Sequence, residues 1–331
     1  MNRWQVNFNA TNWSDAAEAA QAAAALIAGA LVAVPTETVY GLAADATNGE
    51  ACARIYEAKG RPQFNPLISH VDSFAQAREH GLFSPTATRL AEAFWPGPLT
   101  LVVPRAPTST ISSLATAGLD TVALRVPAGP VMRLMARMTG RPIAAPSANL
   151  SGRISPTTAD DVARDLETSL TWLIDAGPCR VGVESTILAV EGETVTLLRP
   201  GGLAREDVEA LLGHPIASAQ QLDGDTAPLA PGMLSSHYAP NAGVRLNATE
   251  VLAGEALLAF GPELPGQADQ ARAIFNLSPS GDLTEAAARL FSGLRALDAS
   301  GASAICVAPI PFQGLGEAIN DRLSRAAAPR S

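Results

Sequence analysis

The feature that most constrains the fold of this chain is an alternation, repeated along most of its length, between amphipathic helical patterns and short apolar segments. Residues 31–34, 99–103 and 121–126 are such segments, and their length and β-branched side chains are typical of buried strands. Helical patterns separate several of them, but others follow one another too closely for a crossover helix. The sequence therefore predicts an α/β fold with a sheet of mixed strand direction.

The alternation lapses between His214 and Asn241, and this lapse predicts a domain boundary. The stretch contains four prolines, little periodicity and much Ala, Ser and Gln, which is typical of a linker. A chain of 331 residues is also long enough for two domains of about 100–200 residues each. We therefore expect a first domain over residues 1–213 with its core at about 14–203, a linker over 214–241, and a small α/β domain over 242–331.

Charge and cysteine usage exclude several classes of protein. The 23 basic and 32 acidic residues give a net charge of −9, so the molecule as a whole repels phosphate backbones and anionic membranes. The three cysteines are far apart and form no C-x-x-C pair, which argues against disulfides and a zinc site. The N-terminus lacks the pattern of a signal peptide, and the longest apolar run, residues 22–34, is too short to span a bilayer. We expect a cytoplasmic protein with no membrane segment and no metal site of its own.

One segment combines the features of a helix end with those of a phosphate site. Lys59 is the only lysine among 23 basic residues, and it closes a helical pattern that starts at Asn48. Gly60 and Pro62 follow it, as they do at ordinary helix ends. Drift of lysine to arginine in GC-rich coding is one explanation of this composition, and a need for an ammonium at position 59 is the other. Lys59 with Arg61 on a loop suits a polyphosphate.

Two further segments follow predicted strands and carry small or hydroxyl side chains. Residues 34–42 place hydroxyls and a carboxylate beyond a buried strand, where α/β sheets bind ligands, although an ordinary strand-to-helix turn has the same composition. Residues 142–156 enter a turn of small residues, which let backbone N–H groups approach a phosphate or adenine; a loop before a helix N-cap is the alternative. The sequence has no Walker A motif, no G-x-S-x-G elbow and no H-E-x-x-H motif, so those enzyme classes have no support.

Taken in order, these segments resemble the threonylcarbamoyl-AMP synthase family, the YrdC-like proteins, in its long form with an added C-terminal domain. The matching runs cover nearly the whole chain: P-T-E-T-V-Y-G-L at 35–42, K-G-R-P-x-x-N-P-L-I at 59–68, F-W-P-G-P-L-T at 94–100, A-L-R-V-P at 123–127, A-P-S-A-N-L-S-G at 145–152, E-S-T-I at 184–187, L-R-P-G at 198–201, A-P-G-M and H-Y-A-P at 230–240, and G-L-G-x-A-I-x-D-R-L at 314–323. Several motifs in register are far more specific than any one of them.

The resemblance implies a fold and a reaction. The first domain is expected to be a twisted open mixed sheet with a concave, positively charged active face, and the second a smaller Rossmann-like domain, with the linker covering the active site. The implied enzyme is a nucleotidyltransferase that joins L-threonine, bicarbonate or CO2, and ATP with its Mg²⁺ to give threonylcarbamoyl-AMP and pyrophosphate. The product is expected to pass to the tRNA threonylcarbamoyl transferase machinery, which forms threonylcarbamoyladenosine beside the anticodon; direct tRNA contact is not required.

The motif positions also imply individual roles. Two cations would be catalytic, Lys59 and Arg61. Five residues would hold threonine: Thr36, His70, Arg125, Ala145 through its backbone, and Ser185. Eight residues would hold ATP: Lys59, Arg61, Asn65, Thr121, Ser147, Ser155, Arg199 and the linker residue Tyr238.

Two other functions stay open at this point. An RNA- or nucleotide-binding regulatory module would keep the fold without synthase activity, although the acidic net charge disfavours RNA binding. A carbamoyl-transfer maturation factor is the second alternative. Related domains of that kind occur beside zinc-finger-like cysteine pairs and an acylphosphatase segment, which this sequence does not contain.

Overall fold

The structure is a computed structural model that describes residues 1–10, 12–219 and 237–329. We call residues 1–219 the N-terminal region and residues 237–329 the C-terminal region. Residues 220–236, which make up most of the predicted linker, lie outside the described residues.

The N-terminal region contains, in chain order, β1 (Asn2–Gln5), α1 (Ala17–Ile27), β2 (Val32–Pro35), β3 (Tyr40–Asp45), α2 (Gly49–Lys59), β4 (Ile68–His70), α3 (Phe74–His80), α4 (Pro85–Phe94), β5 (Leu99–Pro104), β6 (Thr121–Arg125), α5 (Pro130–Thr139), β7 (Ile143–Ala144), α6 (Ala159–Leu166), β8 (Trp172–Asp175), β9 (Thr186–Glu191), β10 (Thr194–Arg199), α7 (Arg205–Leu212) and β11 (Ala217–Ser218). The C-terminal region contains β12 (Gly243–Arg245), β13 (Glu255–Ala259), β14 (Ile274–Asn276), α8 (Leu283–Asp298), β15 (Ala304–Val307) and α9 (Leu315–Ala327).

The described strands of the N-terminal region form one mixed sheet of eleven strands in the order β1-β8-β2-β3-β7-β4-β6-β5-β9-β10-β11. The sheet contains parallel pairs, such as β4 with β6, and antiparallel pairs, such as β5 with β6. The predicted α/β class with mixed strand direction is therefore confirmed. In this part of the chain no helix is long and apolar enough to cross a membrane.

The two faces of this sheet differ, and the difference places the site. On β6, Val122 and Leu124 belong to the main hydrophobic core together with side chains of α2 and α4. Because side chains alternate along a strand, Ala123 and Arg125 point to the opposite face. There α1 and α5 cover β2 and β8 with a second core. Beyond α5 the same face carries only a small apolar cluster, to which Ala123 belongs, and a group of polar side chains described below.

The C-terminal region is a separate α/β layer. Its described strands form a parallel sheet in the order β12-β15-β13-β14, with α8 and α9 packed against it. Phe291 and Leu294 of α8 are fully buried in an apolar core that also contains Val39, Ile154 and Val183 of the N-terminal region. The sequence pattern predicts strands over 255–260, 271–277 and 302–308 and helices over 283–297 and 315–326, and the structure has an element at each of these places. The pattern does not predict β12, because Gly-Val-Arg is too short to show a period.

Two local differences from the sequence reading have simple causes. The sequence pattern predicts a first helix capped by Ser14 that runs through Ala28. The helix begins instead at Ala17, because a short 3-10 turn over Trp13–Asp15 precedes it and Ser14 makes no capping bond. The polar segment after β2 is a four-residue turn, since β3 returns antiparallel to β2. Tyr40–Asp45 contains no β-branched residue, so its strand conformation comes from its two neighbours in the sheet.

Other boundaries follow local chemistry closely. The Asn48 side chain accepts hydrogen bonds from the backbone N–H groups of Glu50 and Ala51 at the start of α2. Gly60 ends α2 with φ of 60°, a left-handed conformation that glycine adopts without strain. The chain therefore turns sharply after Lys59, and this turn directs the next residues toward the polar face.

Candidate active site

A buried cavity of about 50 Å³ lies on the polar face of the large sheet. Its walls come from the β2–β3 turn, β3, the loop after α2, β4, β6, the loop after β7, the segment before β9, the end of β10 and the start of the C-terminal region. The lining residues are Thr36, Thr38, Val39, Gly41, Arg61, Ile68, His70, Arg125, Ala145, Pro146, Ser147, Glu184, Ser185, Arg199, His237 and Tyr238. Nine of them were predicted from sequence, from seven separate segments: Thr36, Arg61, His70, Arg125, Ala145, Ser147, Ser185, Arg199 and Tyr238.

Arg125 is fixed at one side of the cavity by residues of the β2–β3 turn. Its Nη2 atom donates to Glu37 Oε1 at 2.5 Å, and its Nη1 atom donates to Thr38 Oγ1 at 3.0 Å. The Glu37 carboxylate also accepts from the N–H of Gly129 at 3.0 Å. Burial alone would raise the pKa of Glu37, but the Arg125 charge holds it below its usual value. The arginine therefore faces the cavity and the carboxylate stands behind it.

Thr36 and Ser185 present hydroxyl groups near this arginine. Thr36 Oγ1 lies 2.8 Å from Thr38 Oγ1 and donates to the carbonyl of Val39 at 2.7 Å. Ser185 Oγ lies 2.8 Å from Thr100 Oγ1. Both hydroxyls are thus held in place by neighbouring polar atoms.

His70 and Ala145 complete this side with neutral groups. His70 Nδ1 lies 3.4 Å from the carbonyl of Ile143, and burial lowers the pKa of His70 to about 3. The ring is therefore neutral near pH 7, and with its proton on Nδ1 it offers Nε2 as an acceptor. The N–H of Ala145 already donates to Ile68 at 3.0 Å, which leaves the carbonyl of Ala145 for a ligand.

Two buried arginines supply positive charge at the other side of the cavity. Arg61 donates to the carbonyls of Asn65 and Pro66, and burial lowers its pKa to about 10, so it stays charged near pH 7. Arg199 donates to the carbonyl of Ser185 at 2.9 Å and to its hydroxyl at 3.3 Å. Burial also lowers the pKa of Arg199. Two desolvated guanidinium groups attract anions strongly, because a low dielectric weakens their screening.

Lys59 is buried beside this group but is not among the cavity's lining residues. Its Nζ atom donates to the carbonyls of Ser147 and Asn149, the first at 2.5 Å, and lies 3.5 Å from Asn149 Oδ1. An ammonium has three N–H donors, and these three oxygens occupy them. Burial, and then the neighbouring Arg61, lower the pKa of Lys59 well below its usual value. In the unliganded protein this lysine holds the loop that carries Ser147.

Three other predicted residues also stand outside the lining. Asn65 is buried, and its Oδ1 atom has no hydrogen-bond partner within the described chain. Ser155 Oγ donates to Glu184 Oε1 at 2.5 Å. Thr121 begins β6, whereas Arg125 ends it, so about 13 Å of strand separates them at about 3.3 Å per residue. Both side chains point to the same face, because they are an even number of residues apart.

Sequence reasoning missed Glu184 and Arg322 as parts of the site. Glu184 lines the cavity, and its Oε2 atom accepts from Arg322 Nε at 2.9 Å. Burial would raise the pKa of Glu184, but Arg322 and Arg199 lower it to about 2. The E-S-T-I motif contains Glu184, so the residue was visible in the sequence. Arg322 also stands in a quoted motif, G-L-G-x-A-I-x-D-R-L at 314–323, but nothing in the sequence joined it to Glu184, 138 positions away.

His237 and Tyr238 close the cavity from the C-terminal region. The Tyr238 ring stacks on Phe291 of α8 with 5.5 Å between centroids, and the His237 ring lies at 75° to the Tyr238 ring with 4.1 Å between centroids. The next residue, Ala239, donates to the carbonyl of Gly152 at 2.9 Å. Burial lowers the pKa of His237 to about 3. Tyr238 was predicted from its motif, whereas His237, its neighbour in H-Y-A-P, was not.

The arrangement suits the binding of two anionic groups side by side. Arg125 offers one positive charge next to hydroxyl and neutral groups, and Arg61 and Arg199 offer two more. Both nearby carboxylates, Glu37 and Glu184, are committed to arginines. In the described residues no group of three or more His, Cys, Asp or Glu side chains is placed to hold a metal ion.

Comparisons with known proteins agree with this geometry. The sequence model of the Sua5/YciO/YrdC family, described as "Telomere recombination", matches residues 24–201. A second model, described as "Threonylcarbamoyl-AMP synthase, C-terminal domain", matches residues 203–328. This second match begins before α7. In the structure, however, α7 and β11 pack with the N-terminal region, because Val208 of α7 belongs to its main core and β11 pairs with β10.

Full-length relatives extend the match. A Bacillus subtilis protein named threonylcarbamoyl-AMP synthase is 39% identical over 340 aligned residues, covering 99% of this chain and 98% of that protein. A Pyrococcus abyssi protein of the same name is 42% identical over 319 residues, covering 90% of each. The crystal structure of P. abyssi Sua5 complexed with L-threonine matches with a TM-score of 0.88 and 36% identity, over 99% of this chain and 98% of that one. The chain therefore belongs to the Sua5/YciO/YrdC family and, within it, to the threonylcarbamoyl-AMP synthases that carry the added C-terminal domain.

Proposed function

We propose that this chain makes threonylcarbamoyl-AMP and pyrophosphate from L-threonine, bicarbonate or CO2, and ATP, as a nucleotidyltransferase of its family. The observation that carries the proposal is the single cavity that joins Arg125 to Arg61 and Arg199. One arginine suits an amino-acid carboxylate, and the pair suits a triphosphate. The product then serves tRNA threonylcarbamoyladenosine formation in the cytoplasm, through the tRNA threonylcarbamoyl transferase machinery.

Threonine binds at the Arg125 side in this proposal. Its carboxylate pairs with the Arg125 guanidinium, which Glu37 and Thr38 hold at a fixed angle. Thr36, Ser185, the Ala145 carbonyl and the neutral His70 ring surround the amine and the hydroxyl. A protonated histidine would repel the ammonium group of the incoming amino acid, so the low pKa of His70 supports this placement.

ATP binds along the same sheet face from the arginine pair toward Thr121. Arg61 and Arg199 hold phosphates, while Asn65, Ser147, Ser155 and Tyr238 hold the remainder of the nucleotide. The free Oδ1 atom of Asn65 is an acceptor for a donor such as an adenine amino group. Lys59 acts through the Ser147 loop that it holds and adds charge close to the phosphates. Mg²⁺ arrives as part of the nucleotide, since Glu37 and Glu184 already have cationic partners.

The reaction needs alignment more than a protein nucleophile. The threonine ammonium group loses a proton to solvent, the free amine adds to CO2, and a second proton passes to solvent, which gives a carbamate. A carbamate oxygen attacks the α-phosphorus, the bond from that phosphorus to the bridging oxygen breaks, and pyrophosphate leaves. Arg61 and Arg199 offset the charge that moves onto the leaving group. Holding the carbamate in line with the α-phosphorus supplies the rest of the acceleration.

The cavity must open for these substrates. Its volume of about 50 Å³ is far below the roughly 300–1,000 Å³ of ordinary ligand pockets. His237 and Tyr238 occupy its C-terminal wall, so movement of this segment enlarges the site most directly. This agrees with the domain organisation we propose: a catalytic unit over 1–213, a linker over 214–241 that covers the site, and a smaller unit over 242–331. Exclusion of water by a closed linker protects the labile carbamate and anhydride.

The test is pyrophosphate release from ATP by the full-length protein with Mg²⁺ and bicarbonate, with and without L-threonine. Release that depends on both threonine and bicarbonate, with the adenylate detected by mass, is the expected result. Binding of ATP without any release would contradict the synthase and favour a nucleotide-binding regulatory module. Omitting Mg²⁺ tests the metal separately, because the proposal expects release to stop.

A further inference from the structure

Arg322 is the most completely buried charged side chain of the C-terminal region, and it points out of that region toward the catalytic cavity. It lies on α9 with no exposed surface. Its Nε atom donates to Glu184 Oε2 at 2.9 Å, and its Nη1 atom donates to the carbonyl of Pro200 at 2.7 Å and to Asp321 Oδ2 at 2.7 Å. Its guanidinium carbon lies 5.3 Å from the centre of the Tyr238 ring. One arginine of the C-terminal region therefore contacts two segments of the N-terminal region that border the cavity.

Stability alone does not account for this arginine. Moving a guanidinium out of water is costly, and apolar side chains of similar volume often replace a buried ion pair without loss of stability. Moreover, Arg322 Nη2 is buried and has no hydrogen-bond partner among the residues described. A buried polar atom without a partner in a native structure calls for an explanation. A functional reason at the cavity is needed.

Glu184 supplies that reason. It is a carboxylate on the wall of a cavity that has to accept a triphosphate, and it lies on the same side as Arg199. An uncompensated negative charge there would repel the phosphates and compete for Arg199. With Arg322 on one oxygen and Ser155 on the other, Glu184 is neutralised and kept in one orientation. Arg322 also fixes Pro200, the residue directly after Arg199.

We infer that Arg322 is a positioning residue of the ATP site: from the C-terminal region it neutralises Glu184, orients Glu184 toward Ser155 and holds the Arg199–Pro200 turn. The inference rests on the proposed function, because it assigns this side of the cavity to ATP. It gives the C-terminal region a defined task in nucleotide binding. Threonine binding at Arg125 depends on contacts within the N-terminal region and does not require Arg322.

The test compares three variants of the full-length protein. Arg322→Gln removes the charge, and we expect the KM for ATP to rise at least tenfold while the KM for threonine changes less than twofold. In Glu184→Gln/Arg322→Gln the repelling carboxylate is also gone, so at least a third of the lost ATP affinity, on a logarithmic scale, should return. Arg205→Gln is the matched control, because Arg205 of α7 forms an ion pair with Glu317 of α9, between the same two regions but away from the lining residues. It should leave both KM values unchanged.

A second readout separates this inference from the proposed reaction. Calorimetric binding of α,β-methylene-ATP, in which the bond to be broken is replaced, needs no turnover. Weaker binding by Arg322→Gln, recovered in the double variant, supports the inference even if wild-type protein releases no pyrophosphate. Equal affinity of folded Arg322→Gln and wild type overturns it. So does an equal loss in Arg205→Gln, because the effect would then be one of general docking between the two regions.

Folding failure does not block the test. If Arg322→Gln does not fold, Arg322→Lys keeps one positive charge but cannot donate to Glu184 and Pro200 together. We then expect a smaller rise in the KM for ATP, with the melting temperature close to that of wild type. An unchanged KM for ATP in folded Arg322→Lys, together with no recovery in the double variant, would remove the assigned role.

Discussion

Two buried arginine–glutamate pairs border the cavity, and they are built in opposite directions. In the first, Arg125 faces the cavity and Glu37 stands behind it, both from the N-terminal region. In the second, Glu184 faces the cavity and Arg322 stands behind it, from the C-terminal region. The first pair presents a cation to a ligand. The second pair neutralises a carboxylate that would otherwise face a ligand.

This difference shows how the site divides between the two regions. The Arg125–Glu37 pair is complete within the N-terminal region, so the side proposed for threonine needs no residue of the C-terminal region for this pair. The Glu184 pair is complete only with Arg322 of α9, so the side proposed for ATP depends on docking of the C-terminal region. The two pairs have similar burial and similar distances between their charged groups, but their proposed tasks differ. Substitutions can distinguish these tasks.

The largest expected effect is a loss of stability from a backbone clash beside Glu184. A Cβ atom at Gly201 would lie 2.3 Å from the carbonyl oxygen of Glu184 and 2.4 Å from backbone atoms of the next two residues. Such overlap with backbone cannot be relieved by a rotamer change, so Gly201→Ala should lower the free energy of unfolding by more than about 5 kcal/mol. Chemical denaturation checks this. Gly49→Ala, where nothing lies within 4 Å, is the control and should be neutral or slightly stabilising. A native-like Gly201→Ala would contradict the packing described here.

The next effect concerns the threonine side. Arg125→Met leaves Glu37 buried without its cation, which should cost about 3–5 kcal/mol of unfolding free energy. Adding Glu37→Gln should return most of that stability but not threonine-dependent pyrophosphate release, because the proposed carboxylate ligand is still missing. The double variant at Arg322 and Glu184, in contrast, should regain ATP affinity. Recovery of release in Glu37→Gln/Arg125→Met would mean that Arg125 has only a structural role.

As the pH falls, the contribution of His70 to the free energy of unfolding should be lost at a higher pH than the contribution of Glu184. Folded protein holds His70 neutral down to about pH 3, whereas the unfolded chain protonates it below about pH 6.5. The unfolded state then binds more protons, so the free energy of unfolding falls as pH falls, by at most about 1.4 kcal/mol per pH unit. Burial of His237, with its pKa also lowered to about 3, adds a loss of the same sign. Glu184 adds its own loss only below about pH 4.5, because its unfolded pKa is lower.

Denaturation curves from pH 7 to 4.5 measure this effect. His70→Gln should flatten the dependence on pH, and His214→Gln, at an exposed position, should not. An unchanged slope in His70→Gln would show that His70 already takes up its proton in the folded state.

The smallest effect comes from an ion pair at the surface. Arg164 lies 3.4 Å from Asp161 one turn earlier on α6, with its side chain 62% exposed. Water and salt screen such a pair, so Arg164→Gln should change the free energy of unfolding by less than about 0.5 kcal/mol. A loss comparable to that of Arg125→Met would show that burial is not what distinguishes the cavity pairs.

Local chemistry made much of the site predictable. The Asn48 cap, Gly60 and the strand patterns gave the positions of α2, β4 and β6, and the motifs on them gave Arg61, His70 and Arg125. The loop after β7 was recognisable from its small residues. Lys59 shows the limit of such reading: it stands out as the only lysine of the sequence, yet only the fold reveals that carbonyls of a distant loop bind its ammonium group.

The sequence by itself therefore determined the α/β class, most of the helices and longer strands, and the polar residues that the motifs carry. The reason is that helix caps, apolar periods and turn residues act over a few neighbouring positions. Only the tertiary structure decided which charges neutralise one another. Arg322 meets Glu184 across 138 residues, and Glu37 meets Arg125 across 88, with no short-range pattern to join them. Burial removes water from these side chains, and only the tertiary fold determines which charged side chain takes the place of water as the hydrogen-bond partner.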